Sequence, residues 1–293
     1  MKYFLYWGCS LEASGANYLA SLEPVCKALG MEFEEIEDWN CCGASISYVG
    51  ANDLAIKVLN ARNLAIAEKK GRYDIIAPCS SCYIQMNKVN HEIQTDPDLA
   101  RKVNAALAEG GMGYKGGIKV RHIQDVLFND VGIEKIKAKV KRPLNGLKVA
   151  GYVGCQSVRP FGEYDSVEKP SVQDKILSAL GAEAVEFPKK MRCCGSGIFL
   201  SEMDLCLGLV RNILEDAVNH GAEIISTVCP MCSMNLELYQ ERINKKFGTD
   251  FDIPIVYLTQ LMAVSFGMDM KSGAALDYNT IPPEYAIRAA LGH

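Results

Sequence analysis

The 293-residue sequence lacks the features that mark membrane, secreted and nucleic-acid-binding proteins. No apolar run reaches the roughly 18 residues of a membrane-spanning helix, so we expect no membrane span. The apolar stretch in MKYFLYWGCSLEASG is too short for a secretory signal and no convincing cleavage site follows it, which predicts a cytoplasmic protein. The net charge of −4 and the scattered basic residues predict no nucleic-acid partner.

Cysteine, in contrast, is abundant, with twelve residues in the chain. In the cytosol so many thiols more often bind metal or carry out redox chemistry than form disulfides. Ten of them form a doubled pattern C…CC…CxxC, with gaps of 31, 36 and 2 residues in the first set and 37, 34 and 2 in the second. The first set is Cys9, Cys41, Cys42, Cys79 and Cys82, and the second set is Cys155, Cys193, Cys194, Cys229 and Cys232. The remaining two, Cys26 and Cys206, fall in predicted helices, where we expect buried, small apolar residues.

The segments around the cysteines repeat as well. FLYWGCS (4–10) matches AGYVGCQ (150–156), and YDIIAPCSSC (73–82) matches EIISTVCPMC (223–232). Similarity at an offset of about 150 residues indicates a duplicated unit. The polar segment VKRPLNG contains Pro and Gly, so we place the boundary there, with one domain at 1–143 and the other at 144–293. The tail 266–293 has no counterpart in the first copy.

Each copy alternates short apolar strands with amphipathic helices. This pattern predicts an α/β fold: two tandem, pseudo-symmetric domains, each built on a parallel sheet. All five cysteines of a copy follow strands. Because the carboxyl ends of parallel strands lie on one edge of a sheet, each set can converge there.

Five converging thiols fit none of the simplest sites. Structural zinc and a cubane [4Fe–4S] cluster each take four cysteines, which would leave one spare in each copy. A redox dithiol or a disulfide between the adjacent cysteines would leave three unexplained. A glycine next to the pair can bend both thiols toward neighbouring metal atoms, so five thiolates suggest a larger, noncubane iron–sulfur cluster. Zinc in at least one copy and thiol redox chemistry remain open on spacing alone.

The doubled pattern C-x31-CC-x36-CxxC resembles the paired cysteine-rich CCG domains, most closely those of the B subunit of heterodisulfide reductase from methanogenic archaea. The resemblance extends from Tyr3 to about Met268. It implies one noncubane [4Fe–4S] cluster on each set of five cysteines, with the clusters near the domain interface. It also implies the reduction of the coenzyme M–coenzyme B disulfide to two thiols, each cluster supplying one electron and capturing one sulfur.

The chain lacks the ferredoxin run CxxCxxCxxxCP, so it has no cubane clusters of its own to bring electrons from a distance. The resemblance therefore implies two partners from the same reductase family. One is a small iron–sulfur protein, similar to the C subunit, and the other is a flavin-containing protein, similar to the A subunit. The alternative function is that of a CCG-domain component in another oxidoreductase, such as a quinone-linked dehydrogenase or an enzyme of sulfur metabolism.

Basic residues flank the second cysteine set but not the first. Arg159 follows Cys155, and three more basic residues precede the second pair where the first copy has Glu37, Asp38 and Asn40; these are Lys189, Lys190 and Arg192. An anionic coenzyme needs basic groups nearby. We therefore expect its most anionic end to lie toward the second copy, with Arg159 and Arg192 as candidate substrate-binding residues.

Overall fold

In the computed structural model, which describes residues 1–71 and 73–292, the chain forms two similar α/β halves. The first half contains β1 (Lys2–Leu5), α1 (Gly8–Leu11), α2 (Ala16–Ala28), β2 (Glu32–Glu35), α3 (Ala44–Ser47), α4 (Asp53–Lys70), β3 (Ile75–Ala77), α5 (Ser80–Thr95), α6 (Pro97–Ala108), β4 (Val120–His122), α7 (Ile123–Asp125), a π-helical turn (Val126–Val131) and α8 (Ile133–Lys137). The second half contains β5 (Lys148–Tyr152), α9 (Val172–Ala179), β6 (Glu183–Val185), α10 (Met203–Asn219), β7 (Ile224–Thr227), α11 (Pro230–Leu238), α12 (Gln240–Phe247), β8 (Ile255–Tyr257), α13 (Leu258–Ser265), a 3₁₀ turn (Leu276–Tyr278) and α14 (Glu284–Ala290).

Each half is built on a four-stranded, all-parallel sheet, in the order β2-β1-β3-β4 in the first half and β6-β5-β7-β8 in the second. The central strands β3 and β7 are buried along their whole length, as expected when helices cover both faces of a parallel sheet. The predicted fold class is therefore confirmed. The sequence analysis did not predict β4 and β8, since each has three residues and runs directly into a helix.

The helices α5 and α11 begin within the two CxxC motifs. Cys79 and Cys229 occupy the positions just before these helices, in extended backbone, while Cys82 and Cys232 lie in the first turns. The N-terminus of a helix carries a partial positive charge, which favours thiolate over thiol. The strand-to-helix junction thus places both cysteines of each motif at the carboxyl edge of the sheet.

The tail that follows α13 packs against its own half. Gln260 donates through Nε2 to the carbonyls of Ala274 and Ala275, and Asn279 donates through Nδ2 to the carbonyl of Ile255 at 2.6 Å. The tail is therefore bonded to the edge strand β8 through Asn279 and to α13 through Gln260. Among the described helices, none combines the length and the apolar character needed to cross a membrane.

Candidate metal centre

The five cysteines of the first set meet at the carboxyl edge of the first sheet. Cys9 lies in α1, directly after β1, and the adjacent pair lies in the loop that leads from β2 to α3. The sulfur atoms of Cys9 and Cys41 are 3.6 Å apart, and those of Cys42 and Cys82 are 3.4 Å apart. All five line one small cavity, together with two residues of the second half, Ser196 and Met231.

The second set repeats this arrangement. The sulfur atoms of Cys194 and Cys232, which correspond to the 3.4 Å pair in the first half, are also 3.4 Å apart. Across the boundary between the halves, the sulfur atoms of Cys79 and Cys229 lie 4.0 Å apart, and both residues are buried. The two sets are therefore adjacent, back to back, at the junction of the halves. Within the two sets, Cys9 and Cys193 are the exposed cysteines.

In both halves, the glycine after the cysteine pair donates a hydrogen bond to the sulfur of the first cysteine. The Gly43 N–H contacts Cys41 Sγ at an N···S distance of 3.4 Å, and the Gly195 N–H contacts Cys193 Sγ at 3.3 Å. Both glycines have positive φ, 74° and 79°, a conformation that other residues adopt at a cost. The CCG motif thus requires glycine for its backbone geometry and supplies an N–H to a thiol.

The first thiol of each pair has a lowered pKa. The pKa of Cys193 is lowered to about 6, mainly because Cys155 donates a hydrogen bond to it and also because of the glycine N–H. The pKa of Cys41 is lowered to about 2 by hydrogen bonds from its neighbouring thiols, Cys42 and Cys9, and from the following glycine N–H. Each set therefore contains a sulfur prepared to act as a thiolate ligand.

Two buried tyrosines hold the backbone just before each adjacent cysteine pair, a role that the sequence analysis missed. Tyr6 donates its hydroxyl hydrogen to the carbonyl of Asn40 at 2.8 Å, and Tyr152 donates to the carbonyl of Arg192 at 2.5 Å. Each accepting residue immediately precedes a cysteine pair. Burial, with the nearby cysteines, raises the pKa of both phenols, so they remain protonated donors. The two tyrosines occupy the same position in the sequence repeat, three residues before the first cysteine of each set, and this match could have indicated a shared role.

The halves are joined by two related aromatic pairs. Tyr18 of the first half stacks on Tyr257 of the second, with ring centroids 4.3 Å apart and an interplanar angle of 5°. Tyr164 and His122 form the corresponding pair, with centroids 5.9 Å apart and an angle of 4°. Burial lowers the pKa of His122 to about 4, so this ring is neutral near pH 7. In each pair, one ring (Tyr18 or Tyr164) lies nine positions after the first cysteine of its half. The other ring (Tyr257 or His122) is the last residue of the edge strand in the opposite half.

Polar contacts between the halves close the rim of the site. Ser81, inside the first CxxC motif, donates to Gln156 Oε1 at 2.7 Å, and Gln156 also donates to the hydroxyl of Tyr48. The ring of Tyr48 lies against Gly197. Each cysteine set is therefore enclosed partly by residues of the other half.

The predicted basic group near the second set is only partly available. Arg159 and Arg192 are accessible at least in part, and Arg159 Nε donates to the carbonyl of Val167 at 3.1 Å. Lys190, in contrast, is buried, and its ammonium group binds Asp174 and, at 3.1 Å, Glu186. Lys190 therefore neutralises carboxylates within its own half, which leaves Arg159 and Arg192 as the candidates for an anionic ligand. Cys26 and Cys206 are buried, as expected.

The donor set fits an iron–sulfur cluster in its chemistry. Five thiols meet in each half, thiolates are the usual protein ligands of such clusters, and one thiol in each set has N–H or thiol donors that favour ionisation. With the side chains as they stand, no group of three or more described His, Cys, Asp or Glu residues is arranged to hold a metal ion. The site therefore fits a cluster by the chemistry of its donor atoms and not by the spacing between them.

A family model for a cysteine-rich domain, named CCG, matches the chain twice, at residues 3–87 and 149–237. A protein of Archaeoglobus profundus, named for its likeness to the B subunit of heterodisulfide reductase, is 34% identical over 94% of this chain and 94% of its own length. The B subunit of the ferredoxin/F420H2-dependent CoB-CoM heterodisulfide reductase of Methanosarcina acetivorans is 31% identical over 99% of both chains. The membrane anchor subunit of the 8-methylmenaquinol:fumarate reductase of Wolinella succinogenes is 33% identical over 96% of this chain and 97% of its own.

The fold is similar to that of a protein whose structure has been solved. A hypothetical protein from Helicobacter pylori superposes with a TM-score of 0.75 over 96% of this chain, at 15% sequence identity. The chain spans about half of that protein, 52% of its length. At this level of identity the likeness concerns the fold alone.

Proposed function

The chain belongs to the family of proteins with cysteine-rich CCG domains, and from this premise we propose that it is the catalytic subunit of a heterodisulfide reductase. The reaction is the reduction of the mixed disulfide of coenzyme M and coenzyme B: two electrons and two protons are consumed, the S–S bond breaks, and two thiols are released. The observation that carries the proposal is the approach of the two cysteine sets to 4.0 Å at the junction of two similar halves.

The ten cysteines would hold two noncubane [4Fe–4S] clusters, one on each set. When bound, each cluster would supply one electron and an iron able to take up one sulfur of the disulfide. The duplication then matches the substrate, because a disulfide has two sulfur ends and its reduction needs two electrons. Cys9 and Cys193, which are exposed, would be the cysteines that an approaching disulfide can reach, while Cys79 and Cys229 face each other in the interior.

The chain's own residues keep the two halves in a fixed relation. The stacked pairs Tyr18–Tyr257 and His122–Tyr164 join the halves. The buried Tyr6 and Tyr152 hold the backbone just before each pair. Such support limits thiol movement, so the spacing between the two sites would be preserved between electron transfers.

Electrons must come from other chains. We propose a small iron–sulfur protein similar to the C subunit of the reductase, and a flavin-containing protein similar to its A subunit, within one complex. The domain boundary near residue 143 is part of the same proposal. The segment between α8 and β5 has no strand or helix of its own, and its Lys141 and Arg142 N–H groups donate to the carbonyl of Ser265.

A second candidate function follows from one relative. The Wolinella protein is named as the anchor subunit of a menaquinol:fumarate reductase, and its identity to this chain, 33%, lies in the same range as that of the reductase relatives. Under this alternative, the same two sites would pass electrons between a quinol and a partner enzyme without cleaving a disulfide.

The experiment is anaerobic metal analysis followed by a substrate comparison. The chain, prepared with iron and sulfide, should hold about eight iron atoms, since each of two clusters contains four. Protein reduced by a viologen dye should then be reoxidised by the coenzyme M–coenzyme B disulfide and not by a menaquinone analogue. Zinc in place of iron would overturn the proposal, and reoxidation by the quinone alone would support the alternative.

Arg159 and Arg192 belong to the proposal as anchors for the anionic end of the substrate. Replacing either by Ala should raise the KM for the disulfide several-fold and leave kcat nearly unchanged, because a side chain that binds substrate and transition state equally affects KM alone. Arg101, an exposed arginine on α6 paired with Asp98, provides the control. Unchanged KM in both variants would remove these two residues from the site.

A further inference from the structure

Two buried asparagines hold equivalent backbone carbonyls in the two halves. Asn60 donates through Nδ2 to the carbonyl of Cys42 at 2.8 Å, and Asn235 donates to the carbonyl of Cys194 at 2.9 Å. Both asparagines are fully buried. In each half the bonded carbonyl belongs to the second cysteine of the adjacent pair.

That carbonyl shares a peptide unit with the glycine N–H of the CCG motif. The peptide group is planar, so fixing its oxygen also fixes the direction of its N–H. The same unit donates to Cys41 Sγ in the first half and to Cys193 Sγ in the second. Each asparagine therefore holds one end of a rigid unit whose other end points at a thiol.

The two asparagines do not occupy equivalent positions in the repeat. Asn60 lies on α4, the helix that follows the CCG loop, whereas Asn235 lies on α11, which begins at the CxxC motif. A Cβ added at Gly43 would meet Ile56, and one added at Gly195 would meet Cys206, which identifies Ile56 and Cys206 as matching positions.

Counting four residues onward, the counterpart of Asn60 is Val210, an apolar core residue. The counterpart of Asn235, three residues after the last cysteine, is Gln85, which donates to Ser47 at 3.4 Å instead. The hydrogen bond to the carbonyl is thus present in both halves while the residue and helix that supply it differ. A requirement for the bond itself explains this better than a requirement for packing.

The cost of these side chains supports the same conclusion. The Oδ1 atoms of Asn60 and Asn235 are buried, and no hydrogen-bond partner lies among the described residues. A buried acceptor without a partner costs about 1–3 kcal/mol. An apolar side chain of similar size would avoid that cost, so the amide is present for its donor.

We propose that Asn60 and Asn235 are positioning residues that aim the glycine N–H at the thiolate of Cys41 and of Cys193, and so set the reduction potential of the cluster in their own half. The proposal rests on the clusters of the proposed function. A hydrogen bond to a ligand sulfur stabilises the more negatively charged, reduced form and raises the potential. Loosening the peptide unit should lower the potential of one cluster and not of the other.

The test compares Asn60→Leu and Asn235→Leu in the reconstituted holoprotein. Leu has the branched shape of Asn, is somewhat larger, donates no hydrogen bond and adds no charge. Reduction potentials are read by anaerobic titration followed by electron paramagnetic resonance, after C42S and C194S have assigned each signal to its half. We expect N60L to shift the potential of the first cluster to more negative values and alter its spectrum, with the second unchanged, and N235L to do the reverse.

The matched control is Asn90→Leu, because Asn90 is also buried in the first half and donates to a backbone carbonyl, that of Ile118 at 2.8 Å, away from the cysteines. If N60L does not fold, Asn60→Ala removes the same donor without adding bulk. Unshifted potentials in both test variants, or an equal shift in N90L, would overturn this inference alone. A wild-type chain that takes up no iron would overturn the proposed function as well.

Discussion

The two halves of the chain repeat their cysteines closely but support them differently. Each has a glycine N–H on the first thiol of the pair and a tyrosine hydroxyl on the preceding carbonyl. The donor to the second cysteine's carbonyl, however, comes from α4 in one half and from α11 in the other. Below the CCG glycine, Ile56 in the first half is replaced by Cys206 in the second.

This difference distinguishes the hydrogen bonds that the site requires from the residues that happen to provide them. The thiol ligands and the backbone around them must have the same geometry in both halves, because a cluster would need thiolate sulfurs that point in defined directions. A buried hydrogen-bond donor can belong to any helix that lies close enough to the carbonyl. Substitutions made in one half at a time can therefore show which contacts each site needs.

The largest effect is expected from the paired cysteines themselves. Cys42→Ser and Cys194→Ser should each lower the iron content of the reconstituted chain by about half, since each removes a ligand from one of two clusters. Both should abolish disulfide reduction, because two one-electron sites are needed. Iron analysis and turnover measure this, with the buried Cys26→Ser as control. Full iron content in either variant would contradict the assignment of that cysteine.

The CCG glycines should differ in their tolerance of Ala. Positive φ costs a non-glycine residue about 1–2 kcal/mol at either position. The added Cβ at Gly43 would lie 2.7 Å from Ile56 Cδ1, the mobile end of a side chain, whereas at Gly195 it would lie 3.1 Å from Cys206 Cα, which is backbone.

We therefore expect the loss in the free energy of unfolding to be larger for G195A than for G43A. Anaerobic denaturant titration of both variants measures this difference. An equal or larger loss for G43A would show that the two helices do not pack under the glycines as described.

A transplant tests whether the two asparagine positions are interchangeable. If Val210 corresponds to Asn60, then Val210→Asn in the N235L background should place an amide donor near the Cys194 carbonyl from α10. We expect the potential of the second cluster to recover part of its shift, measured as before. Val210→Asn in the wild-type background is the control, and no recovery would contradict the matching of α4 with α10.

The smallest expected effect is on the pH dependence of stability and concerns Glu237, which lies five residues after the second CxxC motif. The residue five positions after the first CxxC motif is the uncharged Asn87. Burial raises the pKa of Glu237 to about 7, although the N–H groups of Ile281 and Thr280 oppose this. The folded state therefore binds the proton more tightly than the unfolded chain, where the pKa is 4.5. Its contribution to stability is full below pH 4.5 and is lost as the pH rises toward 7.

Relative to Glu237→Gln, the wild type should thus lose stability between about pH 5 and pH 8, by on the order of 1–3 kcal/mol. Denaturant titrations at several pH values measure the difference in the free energy of unfolding. Glu241→Gln, an exposed change on α12, is the control. A difference between wild type and E237Q that does not vary with pH would contradict the burial of a charge beneath the tail.

Much of the fold could be read from the sequence because its signals are local. Alternating strands and helices predicted two parallel α/β domains, and the repeat aligned Tyr6 with Tyr152 three residues before the first cysteine of each set. The strands β4 and β8 were not predicted because each runs without a break into a helix, so no turn marks the end of the strand. The ion pair of Lys190 with Asp174 could not be predicted either, because the two residues lie 16 positions apart in the sequence.

By itself, the sequence determined the ten-cysteine pattern, the twofold repeat and the class of fold, because the spacing of residues along the chain sets which elements form and which thiols follow strands. The tertiary structure decided how those elements meet. It brought Cys79 to Cys229, stacked His122 on Tyr164, and supplied amide donors from two different helices to equivalent carbonyls in the two CCG loops. Such contacts join residues far apart in the chain, and their energies depend on the packing of whole helices against sheets, which no local pattern contains.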